Sequence, residues 1–198
     1  PPRSTLFPYT TLFRSAAAQE LAAAAAPAAA FFSSPPAFPR WRGLPEEEAY
    51  RALRAACEEG AARRYGPAWR SRADLTARLT KELRIIAAKG FSSYFLVVRD
   101  IVALCPRTCG RGSAASSVVS YLLFLTHVEP LAHDLFFERF LNEGRTDPPD
   151  IDIDFPWDER PGVLARVFEA YRGSAAMVAD HCRFSGASRV REAALALG

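Results

Sequence analysis

Pro148-Pro149-Asp150-Ile151-Asp152-Ile153-Asp154-Phe155 alternates acidic and apolar side chains with a period of two. Successive side chains of a strand point to opposite faces. The period therefore predicts a strand with Asp150, Asp152 and Asp154 on one face and Ile151, Ile153 and Phe155 on the other. The apolar face needs a core to bury it. Three like charges at strand spacing repel one another unless something cationic neutralises them. A divalent metal such as Mg2+ does this well, because hard cations take carboxylate oxygens. The residues alone leave two readings open. One is a metal-binding strand; the other is a solvated edge strand with an acidic outer face, although edge strands more often carry lysine as their guard charge.

Upstream lies a second informative stretch, Cys109-Gly110-Arg111-Gly112-Ser113-Ala114-Ala115-Ser116-Ser117, followed by the apolar run VVSYLLFL. It predicts a glycine-rich turn feeding a helix. Gly110 and Gly112 permit tight turns and close approach of a ligand. A helix start offers N–H groups and a positive dipole end that suit phosphate, and Arg111 adds a forked donor. The lysine and spacing of a Walker A loop are absent. The plainer alternative is a small-residue turn selected for helix packing.

The remaining chain reads as helices. Pro45 at a first helical position, followed by Glu46, Glu47 and Glu48, suits a helix N-terminus, with the helix running to about Tyr65. Ser71 is expected to cap a second helix through Lys89, with Leu75, Leu79, Leu83 and Ile86 on one face and Gly90 ending it. Residues 91–104 are apolar almost all round, as a buried helix is, and Arg99 and Asp100 are their only charges. Residues 131–141 (LAHDLFFERFL) predict another helix. Asp158 is expected to cap a helix carrying Leu164, Val167, Phe168 and Tyr171, ended by Gly173. Residues 176–184 read as a short strand or turn, and residues 186–197 as a last helix.

The chain has 198 residues, a formal charge of +3 and hydrophobic residues at 49%. That is enough for one domain with appendages and a sizeable core. The mild basic excess is compatible with a polyanionic partner and does not demand one. Cys57, Cys105, Cys109 and Cys182 make no disulfide framework in a chain of this length. Cys105 and Cys109 lack the second ligand pair that a structural zinc needs. His127, His133 and His181 are scattered and receive no role. No apolar run reaches the length of a transmembrane helix. Residues 6–15 (LFPYTTLFRS) resemble the conceptual translation of a sequencing adapter, so residues 1–15 are set aside as an expected artefact. Residues 16–43, rich in alanine and then in proline and serine, read as a low-complexity linker.

A buried helix, then GRGSAA, an apolar helix, FFERFLN and PPDIDIDF, in that order, resemble the palm of the bacterial C-family replicases, the DNA polymerase III alpha subunits. The likeness runs from about Leu44 to Gly198. The double proline before Asp150 and the SAASS segment resemble the error-prone branch most. The connection Cys105-Pro106-Arg107-Thr108 is shorter than the family pattern leads one to expect.

The resemblance implies an α+β fold: part of a nucleotidyltransferase palm of the polymerase-beta kind with many helices, over residues 44–175, with the start of a thumb at 176–198. It implies DNA-templated DNA synthesis, with nucleotidyl transfer from a dNTP to a primer 3′-hydroxyl. By resemblance, Asp150 and Asp152 match the aspartates that bind two catalytic Mg2+ ions, for which Mn2+ can substitute. Gly112 and Ser113 match the turn that cradles the triphosphate, Arg139 an arginine near it, and Arg111 is expected to assist there. Asp154 is expected to be structural. Implied partners are primer–template DNA, dNTP, and a sliding clamp with other replication or repair proteins acting through regions outside this chain. A bacterial cytoplasmic setting is implied as well. A third palm aspartate is expected downstream of Gly198, so the segment alone is expected to be inactive. Two competing readings are a metal-dependent phosphohydrolase, which would need histidines near the acidic strand, and a non-catalytic nucleic-acid-binding module.

Overall fold

The computed structural model describes residues 38–145, 149–177 and 186–197, the side chains of 189, 193, 196 and 197 excepted. The adapter-like segment, most of the expected linker, Pro148, and the strand-or-turn expected from residue 178 onward lie outside the described residues. Residues from Pro39 onward form one compact unit. The architecture is α+β and helix-rich. It combines its helices with a single two-stranded antiparallel sheet, the only one among the described residues.

Helix α1 spans Glu46–Tyr65. Pro45 precedes it as the N-cap rather than standing inside it. Glutamates in its first turn and Arg63 and Arg64 in its last complement the helix dipole. Its inner face buries Ala49, Leu53, Cys57, Gly60 and Ala61. Burial pushes the Cys57 thiol far above its ordinary pKa, with the charge of Glu82 acting in the same direction.

Helix α2 spans Ala73–Ala88. The expected cap at Ser71 is corrected. Ser71 closes a short 3-10 turn, Pro67–Ser71, where its hydroxyl donates to the Ala68 carbonyl at 2.7 Å. Arg72 takes the cap position and pairs with Asp74. The apolar stripe Leu75, Leu79, Leu83 and Ile86 is buried as its spacing predicts, and Glu82 is buried with it.

Helix α3 spans Ser92–Val102 and is buried on most sides. Its two charges pair with each other, Arg99 to Asp100 at 2.7 Å. Asp100 also accepts the indole N–H of Trp41 at 2.7 Å. Trp41, which composition places in the linker, is thus part of the core.

Two expected helices are corrected. The run VVSYLLFL forms only one short helix, α4, Val118–Leu122. Phe124 turns left-handed at φ 62, with the guanidinium of Arg64 stacked 4.3 Å from its ring centroid. Leu125 N–H then closes back on the Ser120 carbonyl. Residues 131–141 form no helix either. They bend at Asp134, φ 49, and keep only a 3-10 turn, Phe137–Arg139. The Leu135 carbonyl is taken by Arg78 at 2.8 Å rather than by an amide one turn on. The bend buries Phe137, Phe140 and Leu141 while leaving Phe136 exposed.

Helix α5 spans Arg160–Ala170 and buries Val163, with Leu164, Val167 and Phe168 half-buried. Its cap position is Glu159, not Asp158. Both acids are held by Arg107, at 2.6 and 2.8 Å. Helix α6 spans Ala187–Leu197.

The core is continuous through α1, α2, α3, α4 and the Phe137–Leu141 turn. Each fully buried Leu or Phe contributes about 1.5–3 kcal/mol. Helix α1 meets α4 closely at Gly60, where an added Cβ would lie 2.0 Å from the Leu122 carbonyl oxygen. In an open helix Gly→Ala stabilises; here overpacking reverses the sign. Gly60→Ala is expected to cost about 2–3 kcal/mol and lower Tm by about 5–10 °C in a thermal melt followed by circular dichroism.

Candidate functional site

Strand β1, Cys109–Arg111, pairs antiparallel with strand β2, Asp152–Asp154. The register sets Cys109 opposite Asp154, Gly110 opposite Ile153 and Arg111 opposite Asp152. Ile151 and Ile153 pack against the core, whereas Asp150, Asp152 and Asp154 are exposed. The alternation of exposed acids and inward apolar residues holds from Asp150 to Phe155, and the three carboxylates are exposed, but the expected strand is corrected to three residues, with Asp150, Ile151 and Phe155 outside it. Tyr94, from α3, lies behind this strand. Its phenol hydrogen-bonds the backbone of Ile151, and burial, with the nearby charges of Asp150 and Asp152, raises its pKa.

The two glycines of the GRG turn serve different purposes. A Cβ on Gly110 would lie 2.2 Å from the Leu125 carbonyl oxygen. Its close approach is to the protein's own backbone rather than to a ligand, which corrects the expectation for that residue. Gly112 has φ +70, and a Cβ there would stand 3.3 Å from Asp152 Oδ2. It starts a 3-10 turn, Gly112–Ser116, that includes Ser113.

The start of α4 is not open to phosphate, a second correction. The amides of Val118 and Val119 donate to the Glu82 carboxylate at 3.0 and 3.1 Å. The Ser117 hydroxyl donates to the same carboxylate at 2.8 Å and accepts the Ser120 amide at 3.1 Å. Arg78 Nε supplies a fourth donor at 2.7 Å. Burial pushes the Glu82 carboxyl upward, and these four donors hold it back. Every partner donates, so the arrangement is that of a carboxylate.

The turn and the Leu135–Arg139 segment form the walls of a cavity of about 370 Å3, with Gly112, Ser113, Ser116, Phe136 and Arg139 among its lining. Arg139 is exposed, and its side chain makes no hydrogen bond or ion pair among the described residues. Gly112, Ser113 and Arg139 thus share one cavity, and Asp152 adjoins it through Gly112. Arg111 is placed differently from its expected position at a phosphate. Its Nε donates to Asp154 at 3.1 Å, and Nη1 lies 3.9 Å from Asp152. The hydrogen bond to Asp154 raises the Arg111 pKa further.

Asp150 and Asp152 suit Mg2+ in donor chemistry. That ion is commonly held by one or two carboxylates together with substrate phosphates, keeping several waters. Among the described residues no three His, Cys, Asp or Glu side chains converge on one point. His127 hydrogen-bonds the Thr108 carbonyl at 2.8 Å, and the Cys105 thiol donates to Glu159 at 2.8 Å. No described helix is long and apolar enough to cross a membrane.

Glu82, Arg78, Tyr94 and Phe136 were not legible as site residues. Glu82 alone left a trace: an acid inside the stripe Leu75, Leu79, Leu83 and Ile86, one helical turn after an arginine.

The acidic strand and the cavity bearing Arg139 thus meet at Gly112 in a helix-rich α+β domain. The chain belongs to the bacterial DNA polymerase III alpha family: residues 51–198 match the bacterial DNA polymerase III alpha NTPase domain. An error-prone DNA polymerase of Nocardia farcinica is 48% identical over 151 residues, covering 74% of this chain and 13% of the relative. A DNA polymerase III subunit alpha of Halalkalibacterium halodurans is 43% identical over 141 residues, 69% of this chain and 12% of the relative. An error-prone DNA polymerase of Mycobacterium tuberculosis is 46% identical over 151 residues, 74% of this chain and 14% of the relative. The chain therefore spans about an eighth of the length of these relatives.

The GRG geometry is open to a paired test. Gly112→Ala places a side chain at positive φ beside Asp152 and is expected to cost about 1–2 kcal/mol in urea denaturation. Gly162→Ala, in α5 with no neighbour within 4 Å of an added Cβ, should instead stabilise by about 0.5–1 kcal/mol.

Proposed function

We propose that this chain is part of the palm of a DNA polymerase, of the polymerase-beta-like kind, and that its parent carries out DNA-templated DNA synthesis. The observation that carries the reading is the adjacency of Asp152 to Gly112 at a cavity whose opposite wall bears Arg139 without an ionic partner among the described residues. Family membership supports it, since the relatives are named as DNA polymerases.

In the proposed reaction a primer 3′-hydroxyl attacks the α-phosphate of a dNTP, forming the new phosphodiester, and pyrophosphate leaves. Gly112 and Ser113 receive the triphosphate. No Cβ stands at Gly112, so a phosphate can come close to the backbone there. Arg139, whose side chain has no partner among the described residues, offers its guanidinium to the phosphate oxygens, where charge neutralisation stabilises the transition state. Arg111 pairs with the acidic strand, and it would act as a second cation for the nucleotide only if the triphosphate drew it from Asp154. Asp154, by holding Arg111, has a structural part.

Asp150 and Asp152 would hold the Mg2+ ions, with Mn2+ able to replace them. When bound, such a pair stabilises the attacking and leaving oxygens of an in-line displacement. The exposed position of both carboxylates leaves them accessible to cation and substrate alike. Primer–template DNA and dNTP are the proposed partners, with clamp and accessory contacts assigned to other parts of the parent.

The test is a full-length family polymerase in which this segment replaces its counterpart. Asp152→Asn should reduce primer extension by a factor of about a thousand or more, on the scale of losing a principal electrostatic group. Gel-shift affinity for primer–template should change by less than about threefold, because Lys and Arg contacts to phosphate dominate DNA binding. Equal extension by the variant and its unmodified parent would refute the assignment of Asp152. The 198-residue chain alone is expected to extend no primer.

A further inference from the structure

We infer that Arg78 and Glu82 are a positioning pair for the proposed nucleotide cavity, an inference that rests on the phosphate-binding reading above. Neither residue touches the proposed ligand. The pair acts by setting the distance between the two walls that do.

One guanidinium joins three pieces of chain. Arg78 Nη2 donates to the Ser116 carbonyl at 3.1 Å and to the Leu135 carbonyl at 2.8 Å. Ser116 ends the Gly112–Ser116 turn, and Leu135 begins the segment carrying Phe136 and Arg139. Both residues line the cavity. Arg78 Nε is held by Glu82 at 2.7 Å, and Glu82 in turn grips the amides of Val118 and Val119. The guanidinium is further confined by the Phe137 ring, 6.0 Å from its centroid. The Gly-Ser wall and the Arg139 wall are therefore tied to one rigid fork on α2.

Chemistry favours a role beyond holding the fold. Glu82 is fully buried and the Arg78 side chain is 19% exposed. Replacing such a pair by apolar residues of similar volume is often neutral or stabilising. A charged pair kept in this position is accounted for by what only a planar, forked donor can do: bond two carbonyls from separate segments while its Nε stays fixed. Lysine keeps the charge and loses the fork.

The test uses the 198-residue chain, inorganic tripolyphosphate with Mg2+ as the probe, and calorimetric titration. Arg78→Lys should stay folded by circular dichroism yet bind tripolyphosphate about tenfold more weakly, the size of a typical coupling between residues in one network. Amide hydrogen exchange should accelerate in both walls together. Arg139→Ala should weaken binding, and the losses of Arg78→Lys and Arg139→Ala should combine to less than their sum, because part of what the fork positions is Arg139. If the Lys variant fails to fold, Glu82→Gln, which keeps shape and loses charge, replaces it in the same cycle. Unaltered affinity in the folded Lys variant, or fully additive losses in the double variant, overturns the positioning role while leaving the cavity assignment standing. Absence of tripolyphosphate binding by the unmodified chain, or full affinity in Arg139→Ala, overturns the cavity assignment and the positioning role with it.

Discussion

A single buried carboxylate, that of Glu82, determines where the functional elements can lie. It sits on the apolar face of α2 with four donors around it, two of them amides at the start of α4. Removing one partner of a buried pair costs about 3–5 kcal/mol, because the other charge is left uncompensated. Those amides therefore have one stable arrangement. Since α4 starts where Glu82 dictates, the preceding turn ends there, and β1 must arrive from a fixed direction. The sheet, the acidic face and the cavity follow from that placement.

The glycine turn then operates within limits set by backbone. Gly110 lies against the carbonyl of Leu125, so β1 is pressed onto the chain that leaves α4. Gly112 supplies the positive φ that lets the chain leave the strand directly into a 3-10 turn. Between them, Arg111 is directed to the solvent face, where it meets Asp154. A five-residue helix, a three-residue strand and a five-residue turn would each be marginal alone. They are held by contacts of long sequence separation, Glu82 to Val118 and Gly110 to Leu125.

How far the sequence could be read depended on whether the deciding partners were local. The acidic strand was legible because alternation is a property of consecutive residues. The stripe of α2 was legible for the same reason, at helical period. Membership of the polymerase family was legible from the order of its separated motifs. The helix expected over residues 131–141 was not formed, because the Leu135 carbonyl is claimed by Arg78, fifty-seven positions away in the chain. The apolar run after Ser117 read as a long helix, whereas Phe124 turns left-handed with Arg64 of α1 stacked on its ring. Trp41 read as linker by composition, and its bond to Asp100 is invisible without α3 in place. Arg139 was named by resemblance alone. Its sequence gives no hint that it faces a cavity, since neighbouring Phe137 and Phe140 are buried and Phe136 is not.

The cross-strand bond from Arg111 to Asp154 has an implication for assembly. The acidic face carries its own resident counter-ion on the adjoining strand. Zinc fingers, by contrast, stay unfolded until their ion arrives. Here mutual repulsion among the aspartates is already relieved by a guanidinium, so the sheet can form during synthesis in a metal-poor environment. Under the proposed reading, a divalent ion would meet finished architecture and compete with a tethered side chain, an exchange of cations instead of a folding event.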